Sequence, residues 1–158
     1  MTMLNPYNYA KPKRPVGMPA KKPVTQQRPS TASSNNKANP YGKTNTYLEQ
    51  KVMSAKPEEL TLMLYDGIIR FVKQAKLYNE KNDIEQSNYV NLKAQAIIQE
   101  LRATLDLSIP ISEEFERLYI FMNERLVEAN MTKDNKMLDE VLELATEFRD
   151  TWKEAMNL

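Results

Sequence analysis

Between Pro57 and Tyr78 the chain reads PEELTLMLYDGIIRFVKQAKLY. At 100° per residue, with Leu60 at zero, Leu60, Phe71, Leu64, Ala75, Ile68, Val72, Tyr65, Ile69 and Leu62 fill an arc from about 0° to about 200°. Asp66, Arg70, Lys73 and Gln74 take most of the remainder. A surface helix needs an apolar stripe of only about 100°, so an arc twice that width requires neighbours on two sides, as in a bundle. Pro57 suits the first helical position, and Glu58 and Glu59 complement the positive end of the helix dipole. Gly67 interrupts this helix at a cost of about 1 kcal/mol relative to Ala, which points to close approach of another backbone.

The same period recurs three times downstream. Lys81-Asn82-Asp83 breaks the first helix, and Asp83 with Gln86 forms a capping-box pattern for a second that runs to about Asp106. Its core stripe is Val90, Ala94, Ile97, Ile98, Leu101 and Leu105. Tyr89, Leu92, Ala96 and Ala103 form another stripe on the far side. These either floor a groove for another helix or are surface residues chosen for helix propensity. Ser108-Ile109-Pro110 ends that helix. The next runs from near Ser112 to Ala129, with Phe115, Leu118, Tyr119, Met122 and Leu126 facing inward. Ile120, Phe121 and Val127 point elsewhere, toward a second neighbour or a binding surface. Asn130 suits a left-handed C-terminal cap, and Asp134 caps a last helix with Leu138, Val141, Ala145, Phe148, Trp152 and Met156 on one face. The expected fold is all-α. Residues 57–157 form an antiparallel up-and-down four-helix bundle, and a short helical segment near Thr44–Met53, within 39–56, caps it.

Upstream the pattern disappears. Residues 1–43 hold seven of the nine prolines and few large apolar side chains, so they cannot offset their ordering entropy. The segment reads as disordered, with 1–38 as a basic, Pro-rich extension. Within it Asn5-Pro6-Tyr7 recurs as Asn39-Pro40-Tyr41, either by chance in an Asn- and Pro-rich stretch or as a duplicated docking element. The same 43 residues carry eight Lys and Arg and no acid, leaving 14 bases against 21 acids elsewhere: the tail is +8 and the body −7. Such a split marks an interaction tail, or a tail that lies on its own body.

Composition narrows the chemistry. The chain of 158 residues has no cysteine and no histidine, which removes disulfides, thiolate chemistry, the usual zinc sets, the Glu-x-x-His pairs of di-iron bundles and the commonest general base. Its three glycines form no phosphate loop, and its carboxylates fall on solvated helix faces. No catalytic, cofactor-binding or metal-binding residue is expected, and the protein reads as a non-enzyme. The basic clusters Lys11-Pro12-Lys13-Arg14 and Lys21-Lys22, beside Tyr7 and Tyr9, are a nucleic-acid motif in miniature, but the acidic body argues against that role. No apolar run approaches a membrane span and no signal-peptide core is present, so a cytoplasmic location is expected.

One family matches this reading. Asn39-Pro40-Tyr41, Tyr47, Ser54-Ala55-Lys56-Pro57-Glu58-Glu59-Leu60 and Met63-Leu64-Tyr65-Asp66-Gly67 resemble the start of the flagellar secretion chaperone FliS. The resemblance continues through Lys93–Leu101, Leu118–Leu126, Glu128-Ala129-Asn130, Asp139-Glu140-Val141 and Phe148–Lys153, covering residues 39–157 in order. Residues 1–38 lie outside it, and Lys56 stands where a small polar residue often precedes the helix-starting proline. The resemblance implies a chaperone that binds the C-terminal region of flagellin, prevents premature polymerisation and delivers it to the flagellar export gate. It implies no small-molecule substrate, no nucleic acid, no membrane insertion, and a monomer or weak dimer without client. A helical-bundle adaptor for another amphipathic partner is the competing class. Partner-binding candidates are Tyr41, Tyr47, Tyr65, Leu92, Ala96, Ile120 and Val127. The N-terminal segment is expected to lie on the body until the client arrives, through Tyr41 and Tyr47, with Tyr7 as a second anchor.

Overall fold

The computed structural model describes residues 5–7 and 42–158, with backbone alone for 42–45. The described residues fall into two units: the helices from residue 55 onward together with Asn5–Tyr7, and the helix that precedes them. That preceding helix, α1, spans Gly42–Ser54, two residues longer at its start than the apolar pattern predicts. Ser54 ends it by returning its hydroxyl to the Gln50 carbonyl at 2.8 Å.

The bundle consists of α2 (Pro57–Glu80), α3 (Ile84–Ala103), α4 (Ile111–Thr132) and α5 (Asn135–Ala155). Short connections make successive helices antiparallel, and α2 packs against both α3 and α5, which uses its wide apolar arc. Thr61, Tyr65, Gly67, Ile68, Ile69, Val72 and Ala75 are buried along it. The expected core stripes of α3, α4 and α5 are buried too, with Ile97, Leu118 and Met156 partly so.

Side chains set the helix ends. Glu59 accepts from the Lys56 N–H at 2.9 Å, so half of a capping box survives although Lys56 has no side-chain acceptor. Asp83 accepts from the Gln86 N–H at 3.2 Å and Asp134 from the Lys136 N–H at 2.8 Å. Asn82 takes the left-handed conformation that closes the α2–α3 turn. Three expectations need correction. The helix of Val90 and Leu101 stops at Ala103 rather than near Asp106, because the Asp106 N–H is turned outward to the Pro6 carbonyl at 3.0 Å. Asn130 is not the left-handed cap: α4 continues to Thr132 and Lys133 adopts φ 56°. The Asn130 amide works sideways instead, donating to Asn88 at 2.6 Å and accepting from Lys133 Nζ at 2.7 Å. Burial at that junction lowers the Lys133 pKa.

Gly67 supplies the third correction. The group that approaches it is the Ile97 side chain of α3, not a backbone: a Cβ at 67 would lie 2.9 Å from Ile97 Cδ1. That contact is the tip of a flexible side chain. Gly67→Ala is therefore expected to leave the melting temperature unchanged or raise it, since a small shift of Ile97 is offset by about 1 kcal/mol of helix propensity. Gly67→Leu overfills the α2–α3 seam and is expected to cost about 1–3 kcal/mol. Equal melting temperatures for the Leu variant and the parent would show that the seam has room.

Candidate functional site

Two features of the bundle present surface to a partner. The first is at the end where α2 and α4 begin and α5 finishes. Five rings cluster there: Tyr65 stacks on Phe148 (centroids 5.5 Å), Phe148 on Tyr119 (5.2 Å), and Phe115 meets Phe148 edge-on at 5.1 Å. Trp152 stands edge-on to Tyr65 at 6.3 Å and donates its indole N–H to the Glu58 carbonyl at 2.9 Å. Burying the polar tips of Tyr and Trp requires such partners. Beside this cluster an apolar cavity of about 150 Å³ opens, lined by Tyr65, Phe115, Leu118, Leu144, Glu147, Phe148 and Thr151.

Asn5-Pro6-Tyr7 docks at this end. The Asn5 side chain accepts from the Tyr7 N–H at 2.8 Å, a local turn typical of Asn. The Pro6 carbonyl accepts from the Asp106 N–H (3.0 Å) and from Ser112 Oγ (3.3 Å). Tyr7 is 4% exposed, its ring edge-on to Trp152 at 5.7 Å and its hydroxyl 2.5 Å from that of Tyr119. Tyr119 also meets the Tyr65 hydroxyl at 2.7 Å, so three phenols form a buried chain. The reading of residues 1–43 as disordered thus fails at 5–7, where a short motif finds specific partners that composition does not register.

Burial first, and then the neighbouring Tyr65 and Tyr7, push the Tyr119 ionisation far above the ordinary tyrosine range. At pH values above about 10 the unfolded state loses the Tyr119 proton and the folded state keeps it. The folded state then binds more protons, so stability falls as pH rises, by about 1.4 kcal/mol per pH unit for one such group. Urea unfolding between pH 8 and pH 11 checks this, with flat stability at the lower end. Tyr119→Phe is expected to be less stable at pH 8, because it strips a partner from two buried hydroxyls, and to lose that part of the alkaline slope. An alkaline slope identical in the two proteins would contradict the assignment.

The second feature is the outer seam of α3 and α4. Its register is fixed by Asn88 with Asn130, by the Asn91 amide donating to the Leu126 carbonyl at 3.1 Å, and by Arg102 with Glu116 at 2.7 Å. The Glu116 hydrogen bond raises the Arg102 pKa further. Between these polar ends, helical periodicity sets Leu92 and Ala96 of α3 beside Ile120 and Val127 of α4 on the solvent side. Leu92 is 50% exposed and Val127 40%; Ala96 is exposed and Ile120 half-buried. Asn123, one turn from Ile120 and Val127, has a buried Oδ1 with no hydrogen-bond partner among the described residues.

The sequence-derived candidates therefore separate. Leu92, Ala96, Ile120 and Val127 share one face. Tyr65 does not join them: it is fully buried, because its position on the wide arc of α2 points into the ring cluster. Tyr47 is exposed on α1, and Tyr41, like the basic clusters at 11–14 and 21–22, lies outside the described residues. Tyr119, Trp152, Ser112 and Asp106 were missed as partners of the N-terminal motif. The repeat of Asn-Pro-Tyr was the available signal that something must receive it. No helix among the described residues is long and apolar enough to cross a membrane.

The described residues form an all-helical bundle with a docked N-terminal motif and apolar side chains exposed on α3 and α4. The sequence profile of flagellar protein FliS matches residues 38–158, and the chain belongs to that family. It is 44% identical to the flagellar secretion chaperone FliS of Bacillus subtilis over 118 residues, 75% of this chain and 86% of the relative. The FliS of Escherichia coli is 34% identical over 113 residues, 69% of this chain and 82% of that one. Among solved structures, a crystal structure of a bacterial flagellar chaperone superposes with a TM-score of 0.61 at 15% identity, covering 73% of this chain and 98% of its own. That likeness concerns the fold.

Proposed function

We propose that this protein is a cytoplasmic export chaperone that binds the C-terminal region of flagellin, keeps it from polymerising before export and delivers it to the gate of the flagellar type III secretion apparatus. The observation that carries this reading is the α3–α4 seam. Leu92, Ala96 and Val127 are exposed and Ile120 half-buried along α3 and α4, in a chain of the flagellar secretion chaperone family. An amphipathic helix laid along that seam would cover Leu92, Ala96, Ile120 and Val127 at successive turns, the usual helix-in-groove mode. Asn5–Tyr7 would keep the aromatic end covered while no client is present. Size-exclusion chromatography of the purified protein with flagellin of the same organism tests the reading. A 1:1 complex with full-length flagellin, and none with flagellin lacking its C-terminal region, is expected. Equal co-elution of both would place the contact outside the C-terminal region of flagellin, and co-elution of neither would mark a bundle adaptor with a different helical partner.

A further inference from the structure

Charge is spread unevenly over the bundle. Residues 44–158 hold 14 Lys and Arg against 21 Asp and Glu, yet residues 67–79 of α2 and 87–99 of α3 carry Arg70, Lys73, Lys76 and Lys93 and no acid. The two stretches lie side by side, with Ile97 against Gly67 and Lys93 Nζ 5.7 Å from the centre of the Phe71 ring. Asp139 of α5 neutralises Lys76. Arg70, Lys73 and Lys93 have no carboxylate within ion-pair distance among the described residues, whereas Arg102, Arg117, Arg125 and Arg149 each have one. Even Asp66, the nearest acid along α2, is turned to Arg149 at 3.8 Å. Arg70 and Lys93 face rings instead: the Arg70 guanidinium is 4.9 Å from the centre of Phe71, and Lys93 Nζ 4.8 Å from that of Tyr89. Tyr89 is 55% exposed, and Leu77, two turns along α2 from Arg70, is exposed too. We propose that this α2–α3 face is a docking surface for a short acidic segment of a partner protein, its carboxylates on Arg70 and Lys93 and an apolar side chain against Phe71 and Tyr89.

Charge and extent select the occupant. Taking the four bases of these stretches from the 14 leaves 10 against 21 acids over the rest of residues 44–158, so an acidic segment is drawn to this face and repelled elsewhere. Residues 1–43, with eight Lys and Arg and no acid, are the wrong charge to cover it. A helix rises about 1.5 Å per residue, so each stretch makes a strip about 20 Å long, enough for a short segment. Bases beside rings also suit single-stranded nucleic acid, but a phosphate chain running off the strip would meet the acidic remainder. Cation–π attraction consumes none of the N–H donors, so Arg70 and Lys93 keep theirs for carboxylates. The face adjoins the α3–α4 seam without sharing its residues, since Tyr89 and Lys93 lie on the α2 side of Leu92 and Ala96. The inference therefore stands whichever client the seam carries.

The test uses the full chain and a synthetic capped peptide of about 14 residues, matched to the strip, with Glu on both sides of a central Phe. A control peptide has Gln at every Glu. Adding the Glu peptide to the isotope-labelled chain is expected to move the amide resonances of Arg70, Phe71, Tyr89 and Lys93 most. Calorimetric affinity is expected to fall at least about tenfold between about 0.1 M and about 1 M salt, as the screening length shrinks from about 10 Å to about 3 Å. The Gln peptide and the double variant Arg70→Gln with Lys93→Gln are each expected to cost a similar factor, with the variant's melting temperature near the parent's. Arg70→Lys with Lys93→Arg, which keeps both charges, is expected to bind the Glu peptide. Should the double variant lose helicity, the resonance map and the Gln control decide on the parent alone. No binding of the Glu peptide, equal affinity for both peptides, or perturbations centred on another face would each overturn the proposal. So would tighter binding of a short oligothymidine, which would mark a nucleic-acid site, or a parental dimer that the double variant abolishes, which would make a second copy the occupant.

Discussion

Phe148→Ala is expected to lower the unfolding free energy by about 3–5 kcal/mol, the range for deleting a buried aromatic ring. The ring lies at the centre of the aromatic end, stacked on Tyr65 at 5.5 Å and Tyr119 at 5.2 Å and meeting Phe115 edge-on at 5.1 Å. Its neighbours have little freedom to close the gap. Tyr65 and Tyr119 are tied to one another through their hydroxyls at 2.7 Å, and Trp152 is held by Glu58. The cavity of about 150 Å³ already beside Phe148 would widen rather than fill. Domains of this kind are stable by about 5–15 kcal/mol, so the loss removes a large fraction of the total. Guanidinium unfolding followed by far-UV circular dichroism measures it. A change of less than about 1 kcal/mol would mean that the rings are not packed as described.

Ala96→Arg or Val127→Asp is expected to weaken flagellin binding by tenfold or more, about 1.4 kcal/mol each, while leaving helicity and melting temperature close to the parent's. Both positions face solvent on the α3–α4 seam, so the free protein has little to lose: exposed substitutions of this kind usually fall within about 0.5 kcal/mol. A bound apolar helix face would have to desolvate the new charge without a partner, and that cost falls on the complex alone. Calorimetric titration with flagellin, alongside thermal melts, separates the two effects. Unchanged affinity in both variants would move the client to another face. Loss of fold together with loss of binding would place these residues in the core.

Much of the architecture was legible because helix period and burial are the same information. The wide arc of α2 demanded two neighbours and has them in α3 and α5. Asp83 and Asp134 mark helix starts because a short acceptor side chain before an apolar run has few other uses. Helix ends were less legible, since they depend on remote partners. Asp106 leaves the helix for the carbonyl of Pro6, about a hundred positions earlier, and Asn130 is diverted to Asn88 and Lys133. Gly67 advertised a close approach, but sequence could not say whether a side chain or a backbone would fill the space. For the candidate site, periodicity singled out Leu92, Ala96, Ile120 and Val127 but not their adjacency. That follows from the α3–α4 register, which Asn91 and Arg102 set. Tyr65, prominent in the family-like stretch, lies fully buried in the ring cluster, a placement that its position on the wide arc of α2 allowed but did not single out.

Flagellin polymerisation measures the central claim most directly. Monomeric flagellin of the same organism is seeded with short filaments, and elongation is followed by light scattering with increasing amounts of this protein. Elongation is expected to fall in proportion to added protein and stop near one equivalent, and Ala96→Arg is expected to suppress it only at clear excess. Filament growth at an undiminished rate with excess chaperone present would contradict the account.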